Sequence, residues 1–166
     1  MRIQFKETTV DLSPQVCRTI YRYVQHGNLP ESGGILLGKY LPNESMYFVT
    51  EASTPSFWDK FGYTFFIRRK SNAQKIINKR WKESLGQINY LGEWHTHGCD
   101  VPIPSETDKN LIRTIFNDAS NVWPEIIMII LGRKSCYIGI ASAASNGENI
   151  EYQYIGGDAY ALIFNR

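Results

Sequence analysis

The chain has 166 residues, of which 43% are hydrophobic and 20% are charged, and its formal net charge is +2. This length fits one domain over residues 1–166, and such a domain buries roughly 70% of its unfolded surface, so it needs no disulfide or structural metal for stability. The small net charge excludes a typical nucleic-acid-binding composition. No apolar run approaches the ~20 residues of a membrane span. The 3 cysteines, an odd number, predict free thiols in a reducing cytoplasm.

The first third of the chain predicts strands around one helix. Residues 2–11 predict one strand or a pair of strands. Ser13, which a proline follows, begins a helix, because a hydroxyl cap and a proline at the first helical position are typical of a helix N-terminus. The apolar spacing of this helix continues to about His26. The glycine-bounded apolar residues 34–40 predict a buried strand, and residues 47–52 predict the strand that returns from it.

An aromatic loop and a short strand follow. The loop covers residues 53–62 and carries Phe57, Trp58 and Phe61. Aromatic side chains on a loop can hold an extended substrate tail, but packing against the domain is the more common use, and we expect packing here. Residues 63–68 predict the next strand.

A second helix is predicted between a cap at Ser71 and a glycine stop at Gly86. Trp81 lies at helical spacing from Ile77 and Leu85, which places these three side chains on one face of the helix. A face of this composition normally packs against a neighbouring layer, so we expect Trp81 to belong to the core.

The second half of the chain continues the mixture of strands and helices. Residues 88–97 predict a strand, residues 98–104 an irregular loop, and Ser105 the cap of a third helix. Three final strands are predicted over residues 125–131, 135–142 and 149–155. The order of the elements indicates an α/β or α+β fold, with a curved mixed β-sheet flanked by helices.

Two of the 3 histidines in the chain stand together in the motif His95-Thr96-His97. Alternate residues of a strand project to the same face, so His95 and His97 can hold one metal ion between them. Asp108 lies in the first turn of the next helix and can supply a carboxylate oxygen as a third ligand. Two nitrogens and one oxygen suit Zn²⁺, and they leave a fourth coordination position open, as in catalytic zinc sites.

Each part of this pattern also has an ordinary structural explanation. A single HxH segment is often a pair of polar side chains on the exposed face of a strand. Ser105 and Asp108 have the spacing of a capping box, in which both side chains satisfy free amide groups at a helix N-terminus. The combination favours the metal site, because both histidines, a loop of fixed length and the Ser/Asp pair follow one another in the chain.

The complete pattern is HxH, seven residues, then SxxD, and it resembles the JAMM motif of the JAB/MPN family of zinc metalloproteases. That motif also has an upstream glutamate before a glycine-containing apolar strand, which Glu31 and the segment SGGILLG of residues 32–38 match. The matched segments span residues 31–108. The resemblance implies a single JAB/MPN-like domain with a cytidine-deaminase-like architecture.

The resemblance also implies a role for each matched residue. His95, His97 and Asp108 would bind Zn²⁺. Glu31 would hold the metal-activated water, take its proton and pass the proton to the leaving amine. Ser105 would stabilise the oxyanion of the tetrahedral intermediate.

The resemblance extends to a class of substrate. The segment YLGEWHTH of residues 90–97 is similar to prokaryotic JAB proteins of CBASS anti-phage operons and of ubiquitin-like conjugation operons. It implies a deubiquitinase-like isopeptidase that cleaves after the C-terminal glycine of a ubiquitin-like or similarly conjugated protein. The implied partners include a CD-NTase-type nucleotidyltransferase and its E2-like transferase.

Two positions near the motif leave alternatives open. The family commonly has proline after the second histidine, where this chain has Gly98 and then Cys99. A Cys99 thiolate on the metal would silence the enzyme, although a free loop thiol is the simpler expectation. Glu93 shares the strand face of both histidines and competes with Glu31 for the role of the base. Trp94 lies between these residues in the strand, so we expect its side chain to face the opposite side, toward the core.

Three other functions are compatible with parts of the pattern. A sulfur-carrier protein could be the substrate of the same site. A non-catalytic MPN scaffold is the binding-protein alternative, but such homologues typically lose metal ligands, and all the motif positions are present here. A zinc deaminase requires HxE and PCxxC segments, and this chain contains neither.

Overall fold

The computed structural model describes residues 1–118, 123–145, 147–158 and 160. Ten strands and three α-helices cross this part of the chain. The strands are β1 (Arg2–Gln4), β2 (Thr9–Leu12), β3 (Gly33–Leu41), β4 (Met46–Ala52), β5 (Lys60–Gly62), β6 (Phe65–Ile67), β7 (Asn89–Thr96), β8 (Glu125–Leu131), β9 (Ser135–Ser142) and β10 (Ile150–Gly156). The helices are α1 (Pro14–Tyr21), α2 (Lys70–Glu83) and α3 (Glu106–Phe116).

Eight of the strands form one mixed sheet, in the order β1-β2-β4-β3-β7-β8-β9-β10. The pairs β2–β4 and β7–β8 are parallel, and the other neighbours are antiparallel. The sheet curls until its outer strands approach each other. The amide of Lys6 donates to the Glu151 carboxylate at 3.3 Å, and the side-chain amide of Gln153 donates to the carbonyl oxygen of Gln4. The predicted curved mixed sheet with flanking helices is confirmed.

Both faces of the sheet are buried, as the apolar strand β8 illustrates. Ile129 points into the core cluster that α1 covers, and Ile130 points into a second cluster that α3 covers. Because both faces are buried, the residues 126–131 form a continuous apolar run without alternation. Trp94 of β7 belongs to the cluster under α1 and is only 1% exposed, so its predicted core position is confirmed.

The predicted core position of Trp81 is wrong. This side chain is 49% exposed, and Leu85 is 90% exposed. Because α2 ends at Glu83, Leu85 lies beyond the helix in a left-handed conformation with φ 54°. The Trp81 ring lies over Gly86 at the end of the helix. In α2 the buried residue is Ala73, whose small side chain joins the core cluster beneath the helix.

Two helix boundaries differ from the prediction. α1 ends at Tyr21 and does not reach His26, because the chain continues in isolated turns after the helix. α2 begins one residue before Ser71, so the predicted cap is wrong. Its N-cap residue is Arg69, whose side chain makes no capping hydrogen bond. The Arg69 amide donates to the Asp59 carboxylate at 2.9 Å.

The segment predicted as a loop and a strand over residues 53–68 contains a small hairpin of β5 and β6, separate from the main sheet. Its aromatic side chains face solvent: Phe57 is 91%, Trp58 62% and Phe61 51% exposed. The packing expected for these residues is therefore wrong. We refer to residues 57–67 as the aromatic hairpin.

All the cysteines are free thiols, as predicted. Cys17 and Cys136 are buried in the core, and Cys99 is half-buried on the loop after β7. Among the helices that the structure describes, none combines the length and the apolar character that crossing a membrane requires.

Gly92 lies in β7 where the backbone of β8 comes closest. A Cβ atom added there would lie 1.9 Å from the carbonyl oxygen of Ile127. We expect Gly92→Ala to lower the free energy of unfolding in urea by about 3 kcal/mol, because the β7–β8 ladder must open. Gly156→Ala is the control, since its nearest contact would be an ordinary 3.4 Å to Ser135. Equal losses of stability in the two variants would contradict the steric explanation.

Candidate metal centre

Three side chains meet where β7 ends and α3 begins. The Nε2 atoms of His95 and His97 lie 3.1 Å apart. The Asp108 carboxylate faces both rings, with Oδ1 3.2 Å from His95 Nε2 and Oδ2 3.6 Å from His97 Nε2. The three ligand atoms all lie within 4.8 Å of one another. We refer to these three residues as the candidate metal cluster.

Backbone pairing fixes the positions of the two histidines. His95 pairs with Gly33 on β3 and with Ile130 on β8. The amide of His97 donates to the carbonyl oxygen of Leu131 at 2.9 Å, which continues the ladder past the end of β7. Alternation along this extended backbone directs both imidazoles to one face, as the sequence predicted.

A capping box at the start of α3 holds Asp108 in place. Ser105 Oγ accepts a hydrogen bond from the Asp108 amide at 3.2 Å, and Asp108 Oδ2 accepts from the Ser105 amide and hydroxyl, both at 2.7 Å. Oδ1 remains directed at His95. The capping and metal-ligand explanations of the Ser/Asp pair are therefore compatible, because one carboxylate satisfies both.

The surroundings favour the protonation states that bind a metal. Burial, together with the neighbouring His95, lowers the pKa of His97 to about 4 against an opposing effect of Asp108. Burial would raise the pKa of Asp108, but the hydrogen bond and charge of His95, together with Ser105, hold it well below its usual value. At neutral pH these two residues are a neutral imidazole and a carboxylate, the forms that metal ligation requires.

The geometry fits a divalent metal with tetrahedral ligands. Zinc binds histidine nitrogen and carboxylate oxygen at about 2.0–2.2 Å, so two ligand atoms of a tetrahedral site lie about 3.3–3.6 Å apart. The two nitrogens lie 3.1 Å apart and Asp108 Oδ1 lies 3.2 Å from His95 Nε2, which is close to these values, and one ligand atom from each residue lies within 4.8 Å of the other two. Three protein ligands leave one position for water or substrate, which distinguishes catalytic from structural zinc sites.

Glu31 lies just before β3, and its backbone is fixed beside the histidines. The Glu31 amide donates to the carbonyl oxygen of Gly62 in the aromatic hairpin at 2.8 Å. The next residue, Ser32, donates its amide to Thr96 Oγ1 at 3.0 Å and accepts from the Thr96 amide at 2.9 Å. Extended by one step beyond this contact, the antiparallel register of β3 and β7 would bring Glu31 opposite His97, and directly opposed residues share a face.

The pKa of Glu31 reports the same proximity. Burial and, to a smaller extent, Asp108 raise this pKa to about 7 against the opposing effect of His95. Both residues that act on this carboxyl belong to the candidate metal cluster. A carboxyl that titrates near neutral pH can both accept and release a proton there.

Glu93 occupies the same strand face but is engaged in an ion pair. Arg68 donates to it twice, from Nη2 to Oε1 at 2.6 Å and from Nε to Oε2 at 3.3 Å, and the Tyr90 hydroxyl donates to Oε1 at 2.8 Å. With both oxygens bonded, Glu93 is a poorer candidate base than Glu31. Arg68 could not be identified as its partner from the sequence, because the two residues are 25 positions apart.

Cys99 does not join the candidate metal cluster. Its Sγ donates to the carbonyl oxygen of Val101 at 3.4 Å. Burial raises the pKa of the Cys99 thiol. This arrangement matches the free loop thiol expected from the sequence.

A groove of about 400 Å³ runs between α2 and α3, on the side of the sheet that also carries the candidate metal cluster. Ile77, Trp81 and Leu111 contribute apolar walls, and Arg68 and Glu93 contribute a charged part of the lining. The three ligands of the candidate metal cluster do not line it. The groove and the cluster are therefore neighbours along β7 but separate features of the surface.

Comparison with known proteins identifies a family and several relatives of this chain. Residues 13–142 match the family model described as prokaryotic homologs of the JAB domain. A protein of Pseudomonas aeruginosa (strain BWHPSA011 / Pa011), named CD-NTase/cGAS isopeptidase, is 30% identical over 141 residues, which cover 84% of this chain and 87% of that protein. Proteins of the same name from Vibrio cholerae serotype O1 (strain ATCC 39315 / El Tor Inaba N16961) and Escherichia coli (strain TW11681) are 35% identical over 120 residues and 34% identical over 136 residues. These matches cover 72% of this chain and 72% of the Vibrio protein, and 81% of this chain and 83% of the Escherichia protein.

A solved structure shares the fold. The solution structure of protein DSY2949 from Desulfitobacterium hafniense matches with a TM-score of 0.60 over 87% of this chain and 89% of that chain, at 15% identity. At this identity the likeness concerns the fold alone. The family match runs from α1 to β9 and includes every element that carries the candidate metal cluster. This chain belongs to the family of prokaryotic JAB-domain proteins.

Proposed function

We propose that this protein is a zinc-dependent isopeptidase that cleaves after the C-terminal glycine of a conjugated protein. The observation that supports the proposal most directly is the convergence of His95, His97 and Asp108 within 4.8 Å. The half-buried Glu31 beside them adds a proton acceptor. The isopeptidase names of the relatives from Pseudomonas, Vibrio and Escherichia support the same class of reaction.

In the proposed site His95, His97 and Asp108 hold Zn²⁺. When bound, the metal supplies a Lewis acid that polarises the scissile carbonyl group and acidifies water. Glu31 takes a proton from the attacking water on its carboxylate and delivers it to the leaving amine nitrogen. A carboxyl beside the three ligands can carry the proton in both steps.

Ser105 is proposed to stabilise the oxyanion. Its hydroxyl donates to Asp108 Oδ2 at 2.7 Å, and the residue is exposed. Rotation of the hydroxyl hydrogen toward a substrate oxygen would leave Ser105 Oγ in place to accept from the Asp108 amide. Ser105 can therefore serve the helix cap and the reaction from one position.

The proposed substrate is a ubiquitin-like protein or another protein joined through its C-terminal glycine. The names of the relatives favour a CD-NTase-type nucleotidyltransferase as this conjugated protein. Its E2-like transferase, a CBASS-type system and a cytoplasmic location are part of the same proposal. The aromatic hairpin supports an extended tail as the bound segment. Phe61 and Phe65 are 51% and 47% exposed there, and the intervening strand end at Gly62 contacts Glu31.

Cleavage of a defined conjugate tests the proposal. The substrate is a CD-NTase-type protein joined through its C-terminal glycine to a lysine side chain, and mass spectrometry identifies the products. We expect release of the protein with a free C-terminal glycine, loss of the reaction with 1,10-phenanthroline, and recovery with added Zn²⁺. A sulfur-carrier protein extended beyond its C-terminal glycine is the comparison substrate. An intact conjugate after incubation with the zinc-loaded protein would contradict the proposal.

Removal of the Ser105 hydroxyl is expected to slow turnover without removing the metal. We expect Ser105→Ala to lower kcat by about 100-fold to 1000-fold, the usual effect of losing one oxyanion donor. The variant also loses a helix cap, which costs about 1 kcal/mol. Ser13→Ala is a matched control, because Ser13 Oγ accepts from the Val16 amide at 3.2 Å in the same way at α1. A similar loss of kcat in both variants would assign Ser105 to the cap alone.

A further inference from the structure

A buried ion pair joins the aromatic hairpin to the strand that carries the histidines. Arg68 directly follows β6, and Glu93 precedes His95 by two residues on β7. The side chains are 19% and 7% exposed, and their contact is bidentate at 2.6 and 3.3 Å. The hydroxyl of Tyr90 adds a third hydrogen bond to the Glu93 carboxylate.

A buried ion pair of this kind fixes an arrangement more than it adds stability. Removing two charges from water costs several kcal/mol per ion, and well-packed apolar side chains often stabilise a fold as well or better. A planar guanidinium that meets a carboxylate through two parallel bonds does, however, specify both distance and orientation. The pair therefore sets where the chain after β6 lies relative to β7.

The other end of the hairpin is anchored beside Glu31. The Glu31 amide donates to Gly62, and Gln25 Nε2 donates to the carbonyl oxygen of Tyr63 at 2.8 Å. Between the two anchors, the Phe66 ring packs on Gly33, where Cδ1 lies 2.6 Å from the position that a Cβ atom would take. Gly33 is the strand partner of His95, so the inner side of the hairpin lies against the candidate metal cluster.

We propose that Arg68 and Glu93 are a positioning pair, which holds the aromatic hairpin at a fixed place relative to the candidate metal cluster. A substrate tail bound along the hairpin then presents its scissile bond at the cluster. This inference rests on the proposed function, because the tail is the bound segment of the proposed substrate. It assigns the pair a role in substrate placement, and it assigns neither residue a contact with the reacting atoms.

Arg68→Met tests the pair, and Arg80→Met is its matched control. Arg80 makes the same kind of bidentate contact with Glu51, at 2.8 and 2.6 Å, but joins α2 to β4. Three quantities are measured in both variants: hydrogen exchange of the amides of residues 57–67, zinc content, and kcat and KM for the glycine-linked conjugate. Exchange and zinc content are measured without substrate, so they remain informative if the proposed function fails.

In Arg68→Met we expect at least tenfold faster amide exchange in the aromatic hairpin and unchanged zinc content. We expect kcat/KM to decrease by up to about 100-fold, mainly because KM rises. The KM of Arg68→Lys is expected to lie between those of the wild type and Arg68→Met, because lysine keeps the charge but loses the second hydrogen bond. Arg80→Met should change none of these quantities. Unchanged hairpin exchange, or a loss confined to kcat, would overturn the proposal.

A double variant covers the case in which Arg68→Met fails to fold because Glu93 is left buried without its partner. Arg68→Met combined with Glu93→Met removes both charges and restores apolar packing. We expect this variant to fold and still to show fast hairpin exchange and a raised KM. Full recovery of the native KM would overturn the proposal, since the pair would then be replaceable by packing. If the wild-type protein leaves the conjugate intact, the proposed function is refuted. Hydrogen exchange would still show whether the positioning pair holds the aromatic hairpin in place.

Discussion

Asp108→Ala is expected to leave the protein without zinc and without turnover. Asp108 supplies the only carboxylate of the candidate metal cluster within the described residues, and its Oδ1 lies 3.2 Å from His95 Nε2. Two neutral imidazoles alone neither complete a catalytic zinc site nor balance the charge of the ion. Mass spectrometry of the purified protein should find about one zinc per chain in the wild type and almost none in the variant.

The capping box complicates this test, and a second variant resolves it. Asp108→Ala also removes the acceptor for the Ser105 amide and hydroxyl, so a loss of zinc could follow from a frayed helix. Asp108→Asn keeps an oxygen that can accept from the Ser105 amide but removes the negative charge. We expect the metal-free variant to keep α3 folded by circular dichroism, at a lower melting temperature because the charge that His95 and Ser105 stabilise is gone, and still to lose zinc. Glu106→Ala, in the same exposed turn, is the control for a lost surface charge. Zinc retained in Asp108→Asn would show that the carboxylate is not a required ligand.

The candidate metal cluster was predictable because short-range rules determine its parts. Alternation along one strand places His95 and His97 on one face, and the spacing of Ser105 and Asp108 predicts a cap at one helix N-terminus. Each rule acts over at most four residues of the chain. The sequence could not by itself bring the strand end to the helix start, and the family resemblance supplied that step.

The features that were missed depend on longer-range geometry. The periodicity of α2 includes Trp81, but the helix ends at Glu83 and leaves that ring over Gly86. The exposure of the hairpin aromatics depends on a two-stranded unit that stands apart from the main sheet. The contact of Arg68 with Glu93 joins residues from different elements, and the local sequence around either residue does not identify its ion-pair partner.

Glu31→Gln is expected to abolish most turnover while zinc stays bound. The substitution keeps the shape of the side chain but removes the group proposed to carry the proton, so we expect a decrease in kcat of about 100-fold to 10,000-fold. Stability provides an independent readout in the metal-free protein. Because burial raises the pKa of Glu31 from 4.5 to about 7, the folded state binds more protons than the unfolded state between these values. Wild-type stability should therefore fall as the pH rises from 4.5 to 7, and Glu31→Gln should lack this contribution.

Glu93→Gln distinguishes the two carboxylates that the sequence offered as bases. Glu93 is held by Arg68 and Tyr90, so its removal should loosen the aromatic hairpin and raise KM while kcat is largely retained. Glu31 makes no such ion pair in the described part of the chain, and its carboxyl responds to the charges of His95 and Asp108. A loss of kcat in Glu93→Gln, with normal kcat in Glu31→Gln, would reverse the assignment of the base. The predicted outcome is a lower kcat in Glu31→Gln and a higher KM in Glu93→Gln. It would assign proton transfer to the residue before β3 and substrate placement to a residue of β7.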